Sequence, residues 1–123
     1  MGVVAIPSLI SAMEDASNNI RKNSAYILGN MGYVSINALP ALIKALEDSD
    51  IGVRYYAIEA LGKIGSANDK NTIPALIKFL KDSDQQIQTA TIEALEKITH
   101  KKFGNDYAKW TDWWEKNKPN KEE

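Results

Sequence analysis

The chain contains no cysteine, which removes disulfides, thiolate nucleophiles and cysteine-ligated zinc from the possible chemistry. It has one histidine, His100, too few for a metal centre built from clustered His, Cys or His-Glu pairs. Charge of either sign is not in excess: the formal net charge is −1, so no overall field favours nucleic acid or an anionic membrane. Long apolar runs are missing as well. None approaches the length of a membrane span, and Met1-Gly2-Val3-Val4-Ala5-Ile6-Pro7 lacks the basic start and long apolar core of a signal peptide. Asn-x-Ser/Thr acceptor sites are absent. These absences lead to the expectation of a cytoplasmic protein with no membrane and no cofactor.

What the chain does have is repetition. Proline is scarce, yet three of the four prolines, Pro7, Pro40 and Pro74, lie 33 and 34 residues apart. Around them read Ile6-Pro7-Ser8-Leu9-Ile10, Leu39-Pro40-Ala41-Leu42-Ile43 and Ile73-Pro74-Ala75-Leu76-Ile77. Apolar residues recur at i, i+3, i+4 and i+7, ending on Met13, Leu46 and Leu80, which is one stripe on a helix. Each proline is expected in the first turn, where its missing N–H costs nothing. A polar turn follows each copy, and Ser17, Asp50 and Asp84 align as N-caps of a second helix.

That second helix carries Ile20, Ser24, Ile27, Leu28 and Met31, then Val53, Ala57, Ala60, Leu61 and Ile64, then Ile87, Thr91, Ala94, Leu95 and Ile98. The spacing again predicts one helical face, with close helix–helix approach at Ser24, Ala57 and Thr91. Gly32 and Gly65 fit C-caps, whereas Thr99 stands at that place in the third copy. The extra residue of the longer period falls between Gly65 and Ile73, in a loop.

Pro40, Leu42, Ile43, Leu46, Asp50, Val53-Arg54, Ala57, Ala60-Leu61-Gly62 and Ile64-Gly65 resemble the HEAT-like repeat family, in the short form also found in bilin lyase subunits. The resemblance implies an all-α fold, a right-handed α-solenoid (α-α superhelix) of three helical hairpins. It also implies that the turn aspartate and the arginine after valine link neighbouring repeats, and that the second helices line a concave face. The first unit departs from the pattern with Ser17 for Asp50, and the third with Gln88 for Arg54 and Glu96 for Gly62. After Ile98 the repeat stops. Asp106 is a helix cap, and Tyr107, Trp110 and Trp114 fall at i, i+3 and i+7 with Trp113 beside them. A Phe-Gly…Trp-x-x-Trp-Trp ending closes many HEAT-like proteins, so this segment reads as a capping helix rather than a ligand cage. The expected organisation is one domain over 1–117, with repeats at about 5–37, 38–71 and 72–99, a cap at 103–117 and a polar tail at 118–123.

Chemistry has little to work with. His100 sits comfortably at a helix C-terminus. Asp48, Asp50, Asp82 and Asp84 belong to turns and caps. Gly62-Lys63-Ile64-Gly65-Ser66 lacks the glycine spacing and preceding strand of a phosphate loop. No catalytic, cofactor or metal residues are therefore expected, and the sequence does not predict an enzyme. The surface is more informative. Tyr55 and Tyr56 stand where the sister copies have Lys22-Asn23 and Thr89-Ala90, and Tyr26 stands where they have Glu59 and Glu93. Tyrosine offers a large contact area with a polar tip. Tyr26, Tyr55, Tyr56, Glu59 and Lys63 are accordingly the expected contacts for a protein partner, although the same rings would also cover gaps between adjacent helices. The resemblance admits a second role, as accessory subunit of a bilin (tetrapyrrole) lyase or other enzyme complex. A small lysine excess in 97–123 is too weak a signal for nucleic-acid binding. Val3, Val4 and Ile6 lead straight into the first helix, so the N-terminal end is expected to be uncapped, either the cut edge of a longer array or a self-association surface, with the chain a monomer or weakly self-associating.

Overall fold

Each second helix begins on its expected cap. A computed structural model describes residues 2–66 and 69–119, with side chains from residue 5 onward. The Ser17 hydroxyl accepts from the Ile20 N–H, Asp50 from those of Gly52 and Val53, Asp84 from that of Ile87, and Asp106 from that of Lys109. Helices α1 (Gly2–Ala12) and α2 (Asn18–Met31) form the first hairpin, α3 (Leu39–Ala45) and α4 (Ile51–Ile64) the second. The third pairs α5 (Thr72–Ile77), continued as a 3₁₀ turn over Lys78–Lys81, with α6 (Gln85–Thr99), and α7 (Tyr107–Asn117) closes the described chain. The result is an all-helical solenoid. Its second helices lie side by side, α2 against α4 and α4 against α6, and each first helix packs on its own partner. Leu42, Leu46, Leu61, Ile64, Leu76, Ile87 and Leu95 fill one continuous core between the two layers.

The joints between second helices are made by backbone contact. A Cβ added to Gly29 would stand 2.9 Å from the Ala60 Cα, and one added to Gly62 would stand 3.0 Å from the Ala94 Cα. Glycine on one helix thus faces alanine on the next, one repeat on. Close approach lies there rather than at Ser24, Ala57 and Thr91, which are buried but whose hydroxyls, in Ser24 and Thr91, bond the carbonyls of Ile20 and Ile87. The third copy needs no such glycine: Glu96 takes its place and pairs with Lys102 at 3.5 Å. At the opposite edge, Ile27 stands where Ala60 and Ala94 stand. Ile27 and Ile20 are 43% and 44% exposed, while Val53, Ala60, Ile87 and Ala94 are buried. Their counterparts gain cover from a preceding helix that α2 does not have among the described residues.

Four further features depart from expectation. Pro7 lies inside α1, not in its first turn, because Val3-Val4-Ala5-Ile6 carries no turn residue to start the helix later. Pro40 and Pro74 do lie in first turns. The first inter-repeat connection is a 3₁₀ segment, Gly32–Ala38, entered through Gly32 at φ 69° and kinked at Ser35. Gly65 does cap α4, its N–H bonding the Leu61 carbonyl, but it is extended, at φ −64°, and it is His100 that takes the left-handed position after α6, at φ 63°. Finally, Asn18–Ala45 is long and apolar enough, by length and composition alone, to pass for one membrane-crossing helix. It is divided by Gly32 and the 3₁₀ segment into α2 and α3, whose apolar faces enter the core. Of the N-terminal end, the Val3 and Val4 side chains lie outside the described residues, as do 120–123 of the polar tail.

Arg21 supplies the link between the first two repeats, but not to the expected aspartate. Its guanidinium grips Asp48 through two bonds of 2.8 and 3.0 Å and also donates to the carbonyls of Asp15 and Ala16. Asp50 is occupied by capping α4, and its other oxygen accepts from the Asn18 side-chain amide across the joint. Arg54 and Gln88 each bond a carbonyl of their own turn, Asp48 and Asp82. Among the described residues no ion pair joins Arg54 to the third repeat. The exposed pairs Lys44–Glu14 and Lys78–Glu47 repeat along the first helices and contribute little in water.

The Arg21 hydrogen bonds hold the Asp48 carboxyl below its usual value, and backbone N–H groups at the α4 N-terminus do the same for Asp50. Lowered carboxylates add stability that is complete above the unfolded value, roughly pH 4, and is lost as pH falls through the folded values. In Arg21→Gln the main cause of the Asp48 shift is gone. Thermal melts at pH 7 and pH 3 are expected to differ less for this variant than for the parent. An unchanged difference would show that the Arg21–Asp48 link carries no acid sensitivity.

Candidate partner-binding face on the second helices

The outer faces of α2, α4 and α6 bring four of the five predicted residues together. Tyr26, Tyr56 and Tyr55 form a chain of edge-to-face rings: 5.5 Å and 84° from Tyr26 to Tyr56, 5.3 Å and 86° from Tyr56 to Tyr55. This geometry sets the positive edge of one ring against the negative face of the next. Tyr26 belongs to α2 and the other two to α4, so the chain crosses a joint. Tyr55 and Tyr56 are half-buried against the core, whereas Tyr26 is 48% exposed. The rings therefore cover the gap between helices and still present a surface.

Glu59 sits one turn beyond Tyr55. Burial, and then the charge and hydrogen bond of Glu59, raise the Tyr55 hydroxyl above its ordinary value, and the charge of Glu93 on α6 adds to the effect. Lys63 is placed differently. Its Nζ donates to the Asn30 side-chain oxygen across the α2–α4 joint at 2.7 Å, so it ties two helices together two turns away from the rings. Glu93, Gln86 and Thr89 of α6 also line the ground around Tyr55 without having been singled out. The repeat register holds the signal for Glu93, since it is the counterpart of Glu59.

Two recesses flank Tyr55. One, of about 330 Å³, lies among Ile51, Gly52, Tyr55, Tyr56, Asp84, Gln86 and Ile87. The other, of about 230 Å³, lies among Tyr55, Gln85, Gln86, Thr89, Ala90 and Glu93. A wider recess, of about 600 Å³, opens on the other layer among Ile36, Leu39, Pro40, Ile43 and Asp69. It contains no residue that breaks the repeat in the way the tyrosines do. Among the described residues, no three of His, Cys, Asp and Glu come together as a metal site.

The tryptophans belong to the fold. Trp110 is fully buried, meets Phe103 edge to face at 4.8 Å, and donates its indole N–H to the Gly104 carbonyl at 2.8 Å. Trp114 is buried as well. Tyr107 is on the rim, with the Lys81 ammonium 4.0 Å above its ring, and α7 packs on α5 rather than squarely across the layer of second helices.

No curated protein matches the chain. Residues 20–48 match the family model described as PBS lyase HEAT-like repeat. HEAT repeats generally mediate protein–protein interaction, and most are non-catalytic. The pattern of three hairpins, capped turns and glycine–alanine joints agrees with a match to HEAT repeats over residues 39–105, more than half of the sequence, and the chain belongs to that family.

Proposed function

We propose that this protein is a non-catalytic recognition module of the cytoplasm that holds a protein partner on the face of α2, α4 and α6. The observation that carries this reading is the three-ring chain of Tyr26, Tyr56 and Tyr55, at positions where the other copies have polar or small residues. Aromatic anchors half-sunk in a rigid face lose little freedom on binding, which favours affinity. Tyr55→Ser with Tyr56→Ser is expected to abolish capture of a partner from lysate while leaving helical circular dichroism intact. Undiminished capture would remove the face from consideration.

A second role, as accessory subunit of a lyase-type complex acting on a tetrapyrrole, is the alternative reading; the match of residues 20–48 is to the repeat shared with such subunits, not to their activity. A shifted bilin absorbance band on mixing would support it, and an unaltered spectrum would count against it.

We also infer that the exposed edge of α2 meets a second copy of the chain. Ile20 and Ile27 are exposed there, whereas Val53, Ala60, Ile87 and Ala94 of the other second helices are buried. The strip of Ile20, Asn23 and Ile27 carries no charge, and a two-fold pairing would therefore set no like charges against each other. Sedimentation should show concentration-dependent dimers that Ile27→Asp abolishes. A parent chain that stays monomeric at millimolar concentration would rule the pairing out.

A further inference from the structure

The chemistry around Tyr55 says more about the partner, on the reading that this face is the one that binds. Both recesses beside the ring have a carboxylate in their walls, Asp84 in one and Glu93 in the other, and neither wall contains a lysine or arginine. Glu59 stands one helical turn along from the ring, and its charge acts on the Tyr55 hydroxyl. Among the described residues, none of Glu59, Asp84 and Glu93 forms an ion pair. Asp84 caps α6 with one carboxylate oxygen, which accepts from the Ile87 N–H, and its other oxygen faces no cation among the described residues. The nearest lysine on α4, Lys63, is held by Asn30. What is left is an aromatic ring between two small recesses, each with a carboxylate in its wall, the first having the Lys22 side chain against its Gly52.

We propose that these recesses receive arginine side chains from an extended segment of a protein partner. A guanidinium is flat, so it can lie against the Tyr55 ring while its N–H fork meets a carboxylate. Asp84 and Glu93 supply that carboxylate on either side. A lysine ammonium has the charge without the plane or the fork, and an acidic side chain would meet three carboxylates of its own sign. The partner segment therefore carries arginines and crosses from α4 to α6, leaving Tyr26 and Tyr56 to take its apolar groups.

The test uses the whole chain, with the tyrosine ring signals followed by NMR during titration with a synthetic peptide of three Gly-Gly-Arg units. Peptides with lysine, citrulline or glutamate in place of arginine serve as comparisons. The arginine peptide should move the Tyr55 and Tyr56 signals to saturation. The citrulline and glutamate peptides should bind more weakly by about tenfold or more, the scale of one lost charge-assisted hydrogen bond. Asp84→Asn with Glu93→Gln should cost the arginine peptide a similar factor, and asparagine still caps α6, so folding is retained. Equal binding of the glutamate peptide, undiminished binding to the double variant, or shifts confined to other residues would each overturn the proposal. The capture experiment separates the two readings. If the tyrosine substitutions abolish capture but the arginine peptide does not bind at Tyr55, the face stands and its arginine chemistry falls. If capture is unchanged while the peptide moves Tyr55 as expected, the recesses bind arginine and the partner face lies elsewhere.

Discussion

Trp110→Ala is expected to lower the stability of the protein by about 3–5 kcal/mol, the range for removing a fully buried aromatic side chain. Trp110 is fully buried, stacks edge to face with Phe103 and bonds the Gly104 carbonyl. Truncation therefore opens a cavity and leaves a carbonyl without its donor, and both effects act in the same direction. Position along the solenoid sets how the loss is distributed. Stability in such arrays is close to a sum of contributions from single repeats and from the interfaces between neighbours, and α7 packs on α5. Amide exchange should accelerate first in α5 and α7 and least in α2. Urea melts would give the total, and an exchange map would show where it falls. Trp110→Phe keeps most of the packing and loses the hydrogen bond, so it should cost clearly less. Equal costs for the two variants would mean that the lost hydrogen bond, and not the cavity, accounts for the damage.

Leu61→Ala is the second large effect, about 2–5 kcal/mol, as for other leucine truncations in a packed core. Leu61 has no exposed surface and lies in the middle second helix, with α2 on one side and α6 on the other. Both neighbours limit how far the site can collapse, which places the cost toward the upper part of the range. Its counterparts Leu28 and Leu95 are equally buried, but among the described residues each of their helices has a second-helix neighbour on one side only. The same truncation there should cost less. A midpoint shift in urea equivalent to less than about 1 kcal/mol, at unchanged slope, would contradict the stacked-layer description. A change in slope would instead indicate that the mutant unfolds repeat by repeat.

The residues that sequence reading places well are those whose environment is set within a few positions. Ser17, Asp50, Asp84 and Asp106 cap helices because a short polar side chain reaches an N–H two or three residues on. Leu42, Leu61 and Leu95 are read as core because each copy of the stripe repeats the reading. What escapes notice depends on how many neighbours an element has. Ile20 and Ile27 belong to the same stripe as Val53 and Ala60, yet they are exposed because periodicity describes a face and not what covers it. Gly29 and Gly62 look like ordinary members of a family motif until Ala60 and Ala94 are seen against them. Arg21 pairs with Asp48, while Asp50 caps α4 with one oxygen and accepts from Asn18 with the other. At the candidate site the tyrosines are visible as departures from the repeat. The part of α6 is not visible, since Glu93 becomes significant only when its helix is set beside Tyr55.

The glycine–alanine joints also make the solenoid a modular object with a grammar of insertion. A duplicate of residues 38–71 placed between the second and third repeats would meet a glycine donor before it and an alanine acceptor after it, so both new seams repeat contacts already present. A repeat appended after α6 would meet Glu96 where a glycine is required, and α7 would have to be moved beyond it. Lengthening this protein by design is therefore an interior operation.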